Sequence, residues 1–122
     1  YFNVRCTMFL LLFACTTGSS YPAQLASATC KSSYACIDND IIEDFLDYKD
    51  INECISEIEA EYRQSDAYND WENGSKDFNK ENAELCLSEI LDVQSDSDCD
   101  GDMDVFSFFF DIAAEECSEV YQ

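Results

Sequence analysis

Apolar residues between positions 37 and 62 recur at helical spacing. Ile37, Ile41, Phe45, Tyr48, Ile51, Ile55, Ile58 and Tyr62 stand three or four apart, which places them on one face of an α-helix. Cys54 joins that face beside Ile51 and Ile58, while Glu and Asp fill the opposite one. Asp40 and Glu43 have capping-box spacing, with Asp in the role of Ser or Thr. The pattern predicts one long helix over about 40–64. Residues 65–79 lose the period and read as a loop, with Asn73-Gly74 as a turn dipeptide. Tyr68 and Trp71 in this loop are expected to pack over the core edge. A second helix is predicted over about 80–94, with Ala83, Cys86, Leu87, Ile90 and Leu91 facing inward. A third is predicted over about 104–120, carrying Val105, Phe106, Phe109, Ile112, Ala113, Cys117 and Val120. Phe108 and Phe110 make its start apolar nearly all round, so that end is either deeply buried or presents a sticky face to a partner, and burial is the expectation.

The first part of the chain reads differently. Arg5 precedes the apolar run Met8 to Phe13, and Ala26-Ser27-Ala28 follows it. A basic start, a short apolar run and a small-residue tripeptide are the pattern of a secretory signal peptide. The run is too short to span a bilayer. Residues 1–28 are therefore expected to form a signal-peptide region, and 29–122 a single acidic helical domain. Residues 29–37 are polar and read as a segment pinned by Cys30 and Cys36.

Secretion changes the meaning of the cysteines. Of the eight, Cys6 and Cys15 fall in the signal region. Cys30, Cys36, Cys54, Cys86, Cys99 and Cys117 remain, an even number, and a disulfide framework is expected. Their spacing does not select a connectivity. With no His and no Cys-x-x-Cys pair, zinc is not expected. The fold class expected is all-α: a small disulfide-stapled domain of about three helices, ending in a helix–loop–helix. Asn73-Gly74-Ser75 is a glycosylation sequon, which makes Asn73 a candidate in a secreted chain.

All 27 acids follow Ala28, and the formal net charge of the whole chain is −21. Such a field repels nucleic acid and anionic membranes and attracts cations. The 14% aromatic content and the helical periodicity argue against a disordered acidic chain.

One acidic stretch carries chemistry. Asp96, Asp98, Asp100, Asp102 and Asp104 alternate, with Gly101 and Met103 between them. Hard cations such as Ca²⁺ take six to eight oxygens, and alternate carboxylates can surround one centre. The stretch 96–107 resembles the calcium loop of the EF-hand family. The resemblance implies that Asp96, Asp98 and Asp100 hold Ca²⁺ by their side chains. It also implies that Asp102 offers its carbonyl, that Asp104 acts through water and that Met103 packs inward. The family has a bidentate Glu at position twelve, where this chain has Ser107. Gln94-Ser95 separate the incoming helix from the loop, and Cys99 lies within it.

No His, no Gly-x-Ser-x-Gly and no isolated carboxylate pair points to catalysis, and the chain is not expected to be an enzyme. The expectation is a secreted acidic calcium-binding protein of an extracellular matrix. Its composition is similar to that of acidic shell or skeletal matrix proteins. Calcium or calcium mineral and matrix proteins are the expected partners; nucleic acid is not, nor is a membrane once the signal region is removed. A secreted helical signalling protein or ligand carrier, pheromone-like, is the alternative.

Overall fold

A computed structural model describes residues 16–112 and 115–122, apart from the Phe110 side chain. Arg5, Cys6, the run Met8 to Phe13, and Cys15 lie outside the described residues, as does Ala113.

The first described element is α1 (Tyr21–Cys36). Thr17 and Ser20 lock the turn ahead of it. The Thr17 N–H donates to Ser20 Oγ at 2.8 Å, and the Ser20 N–H donates to Thr17 Oγ1 at 3.1 Å. Pro22 sits in the first turn, where a missing N–H costs nothing. Beyond Tyr21 and Pro22 at its start, the residues that face the core are small: Ala26, Ala28, Thr29, Cys30, Ser32 and Ser33 are buried. Ser33 Oγ donates to the Thr29 carbonyl at 2.7 Å, and Ser32 Oγ to the Ile90 carbonyl at 3.0 Å. Hydroxyls satisfied in this way can enter a core at little net cost. Small side chains let helices approach closely, and α1 packs against both of its main neighbours, α3 and α5. Residues 29–37, expected to be a pinned polar segment, are instead the second half of this central helix and its C-cap.

Ala26-Ser27-Ala28, the expected cleavage tripeptide, lies in the middle of α1 with Ala26 and Ala28 buried. A cut after Ala28 would sever that helix. It would also remove Tyr21, whose ring meets Tyr62, Phe78 and Tyr121 at centroid distances of 5.8, 6.2 and 6.0 Å.

The helix expected over 40–64 is broken. A short α2 (Asn39–Ile41), capped by Asp38, widens into a π-turn (Ile42–Leu46). Asp47 then turns left-handed, with φ 63°. α3 (Ile51–Arg63) restarts under a new cap, in which Asp50 Oδ1 accepts from the Glu53 N–H at 2.9 Å. Glu53 Oε1 accepts from the Lys49 N–H at 3.1 Å, so the capping pair is Asp50 and Glu53 rather than Asp40 and Glu43. The break shifts the helical phase. Ile37 and Ile42 are buried, whereas Ile41 and Phe45 face out.

Residues 65–79 contain a helix, α4 (Asp66–Glu72), capped by Ser65. Tyr68 and Trp71 join the aromatic cluster as expected, with Trp71 5.8 Å from Tyr121. α5 (Lys80–Asp92), capped by Asn79, buries Ala83, Cys86, Leu87 and Ile90 and ends in a 3₁₀ turn, Val93–Ser95. The third expected helix is two pieces, α6 (Val105–Asp111) and α7 (Glu115–Ser118). Among the described residues there is no strand, only an isolated bridge between Phe78 and Tyr121.

α6 is rotated from the expected phase. Val105, Phe108 and Ile112 are buried, while Phe106 and Phe109 are exposed. Consecutive apolar residues cannot all face one side of a two-turn helix, and Phe108 takes the inner position. Among the described residues, three disulfides staple the bundle. Cys30–Cys54 joins α1 to α3, Cys36–Cys99 joins the end of α1 to the Asp-rich loop, and Cys86–Cys117 joins α5 to α7. The fold is an all-α, disulfide-stapled small domain.

Candidate cation-binding loop

The Asp-rich loop lies between α5 and α6, as the helix–loop–helix expectation requires. Its path is held at two points by α1. Cys99 is bonded to Cys36, and the Met103 N–H donates to the Cys36 carbonyl at 2.9 Å. Met103 itself is buried in the core, the inward packing that the resemblance implies. Gly101 has φ 87°, a left-handed conformation in which a Cβ would be strained. This is the sharp turn that lets successive carboxylates change direction.

Within that frame the acids divide. Asp98, Asp100, Asp102 and Asp104 line an open recess of about 270 Å³, together with Met103 and Ser107. Asp96 is not among the lining residues; it follows the 3₁₀ turn, and its N–H donates to the Val93 carbonyl at 3.1 Å. Two of the carboxylates serve the backbone. Asp100 Oδ1 accepts from the Asp102 N–H at 3.1 Å. Asp104 Oδ2 accepts from the Ser107 N–H at 3.1 Å and lies 3.4 Å from its hydroxyl. Asp104 therefore caps α6, and Ser107, at position twelve, is turned toward that cap. Among the described residues, no group of three or more His, Cys, Asp or Glu side chains is placed to hold a metal ion. The carboxylates share a recess but do not converge on one centre.

A second acidic feature was hidden by its spread along the chain. Glu43, Asp44, Asp47, Glu53, Glu57 and Glu61 line a trough of about 640 Å³ with Tyr48 and Lys49. Glu53, Glu57 and Glu61 are four apart and share a face of α3, a spacing that in the sequence alone looks like any outer polar face. The broken helix folds Glu43, Asp44 and Asp47 across from them. Their field is felt by nearby phenols. Burial and then Glu61 and Glu57 push the Tyr48 hydroxyl up from its usual value, and burial followed by Asp50, Glu43 and Glu53 does the same for Tyr34.

Asn73 is exposed at the C-cap of α4. Its side-chain carbonyl accepts from the Ser75 N–H at 3.0 Å and the Ser75 hydroxyl at 2.7 Å, with Gly74 at φ 89° between them. Among the described residues, no helix is long and apolar enough to cross a membrane. Comparison with protein-family models, with curated proteins and with solved structures gave no match.

Proposed function

We propose that the protein is a secreted acidic calcium-binding protein of an extracellular or biomineral matrix, a binder rather than an enzyme. The observation that carries the reading is the anchored recess, in which Asp98, Asp100, Asp102 and Asp104 stand around one opening on a loop tied to α1. The disulfides are compatible with secretion. The −21 charge draws cations toward the surface. Binding requires the carboxylates to turn inward, and Asp96 joins them only if the turn after Val93 opens. Reorganisation and the neutral Ser107 both weaken the site, so the dissociation constant is expected to be on the order of 10⁻⁴–10⁻³ M, the range of extracellular modules. In this reading Asn73 carries a glycan.

Isothermal titration of the oxidised protein with Ca²⁺ tests the site. Ser107→Glu restores a bidentate ligand and should tighten binding. Asp98→Ala with Asp100→Ala should weaken it more than Glu53→Ala with Glu57→Ala in the trough. Equal losses from the two pairs, with no gain from Ser107→Glu, would assign calcium to diffuse carboxylates instead. The pheromone-like alternative predicts uptake of a small apolar fluorescent probe that calcium does not affect.

A further inference from the structure

We propose that the recess between Phe45 and Phe106 docks a positively charged polypeptide segment that carries apolar side chains. The proposal does not rest on calcium binding, although Asp104 lines both recesses and couples them. The recess, about 260 Å³, is lined by Ile41, Phe45, Val105 and Phe106, with Asp44 and Asp104 in its wall. Phe45 is 58% exposed, Phe106 70% and Ile41 41%. Large apolar side chains gathered at one surface position mark interaction sites. The two phenyl rings come from different elements and meet edge to face at 6.2 Å.

Their exposure is built into the backbone. The π-turn Ile42–Leu46 and the left-handed Asp47 rotate Phe45 outward. Burial of Phe108 turns Phe106 out on α6. Two separate departures from the expected helical phase thus bring their displaced aromatic residues to the same place.

Charge selects the occupant. Asp44 and Asp104 stand in the wall beside the rings and are exposed. A second copy of this chain would bring −21 against −21, and an anionic lipid surface would be repelled in the same way. A cationic segment satisfies both parts of the recess: its apolar side chains cover the rings, and its Lys or Arg residues meet the rim carboxylates.

The test uses the full oxidised chain, in low salt with a chelator present, and three labelled peptides of equal length. One is built from Leu and Lys, one from Ser and Lys, and one from Leu and Glu. Fluorescence anisotropy should show the Leu/Lys peptide binding at least tenfold more tightly than either of the others. Phe45→Ser and Phe106→Ser, both at exposed positions, should each weaken it by about tenfold, a change of ~1.4 kcal/mol. Asp44→Asn should weaken it less and flatten its salt dependence. Circular dichroism checks that each variant keeps its helices, and Ile41→Ser substitutes for any that does not. Equal binding of the Ser/Lys peptide would overturn the proposal in favour of a featureless polyanion. Equal binding of the Leu/Glu peptide would overturn the choice of a cationic partner. Self-association that Phe45→Ser abolishes would give the recess to a second copy instead.

Discussion

At the scale of single residues, the segment ahead of α1 is held by contacts that leave little freedom. A Cβ on Gly18 would fall 2.3 Å from Trp71 Cζ2, so the indole lies directly on the glycine. The Gly18 carbonyl accepts from the Tyr121 hydroxyl at 2.7 Å. The Ser19 carbonyl accepts from Arg63 at 3.0 Å, while the same guanidinium donates to the Tyr68 hydroxyl at 2.8 Å. Gly18→Ala should therefore cost ~1–3 kcal/mol, the scale of an overpacked contact. It should also shift the emission of Trp71, the chain's single tryptophan. Unchanged denaturation and unchanged emission would show the contact to be loose. The buried phenols make a second prediction. Burial first, and then neighbouring tyrosines, push the Tyr21 and Tyr121 hydroxyls well above their usual value of 10.0. A raised folded value stabilises the protein fully below pH 10 and loses that stabilisation as pH climbs toward it, because the unfolded chain ionises first. Stability should fall from about pH 10 upward. A tyrosinate absorbance titration should show a late fraction that moves back to the ordinary range in denaturant. A single tyrosinate step near pH 10 in the folded protein would contradict the burial of these rings.

At the scale of elements, capping decides where helices begin. Asp50 starts α3 after the left-handed Asp47 has ended the π-turn. Asp50→Ala should cost about 1 kcal/mol, the usual value of a lost N-cap. Asp40→Ala, on the pair expected to cap from its spacing, should cost little, and thermal denaturation of the two compares them. What was legible follows from the kind of signal each element carries. α5 announces itself, because Ala83, Cys86, Leu87 and Ile90 are apolar at helical spacing and all are buried. α1 gives no apolar period because, beyond Tyr21 and Pro22, its core face is made of Ala, Ser, Thr and Cys, whose burial depends on close approach and on hydrogen bonds such as Ser32 to Ile90. Pro22, in the first turn, is the one start signal that the sequence carries for it. The break at Asp47 was not legible, since Ile41 and Phe45 continue a sound helical period and only tertiary packing chose Ile42 in their place. α4 was hidden because a helix of seven residues shows too little period. The Asp loop was legible as a pattern, with its turn at Gly101 and its inward Met103. Its tie to α1 through Cys99 was not, since spacing cannot pair cysteines.

At the scale of the molecule, a bundle with a net charge of −21 repels itself, and self-repulsion opposes a compact state. Ion pairing offers little relief, because the described residues contain two salt bridges, Arg63–Glu59 and Lys80–Glu84, both partly exposed. Exposed pairs of this kind contribute ~0–1 kcal/mol each. The disulfides act on the other side by limiting the unfolded chain. Cys86–Cys117 closes a separation of 31 residues, for which the chain-entropy estimate is about 3–4 kcal/mol. Replacing both cysteines by Ser should remove roughly that much stability, and added salt should recover part of it by screening the acids. The same balance bears on where the folded unit begins. Removing residues 1–28 takes away the first half of α1, the Tyr21 ring at the centre of the aromatic cluster, and the carbonyls that hold Tyr121 and Arg63. Losing one buried aromatic side chain alone costs ~3–5 kcal/mol, against a total of about 5–15 kcal/mol for a whole domain. A chain starting at Thr29 should therefore fail to fold, whereas the full chain should give the helical spectrum and the disulfides Cys30–Cys54, Cys36–Cys99 and Cys86–Cys117. If the protein is secreted, its native N-terminus should then lie ahead of Gly18, whose carbonyl holds Tyr121, which N-terminal sequencing reads directly. A native terminus at Thr29 on a cooperatively folded protein would refute the central place of α1.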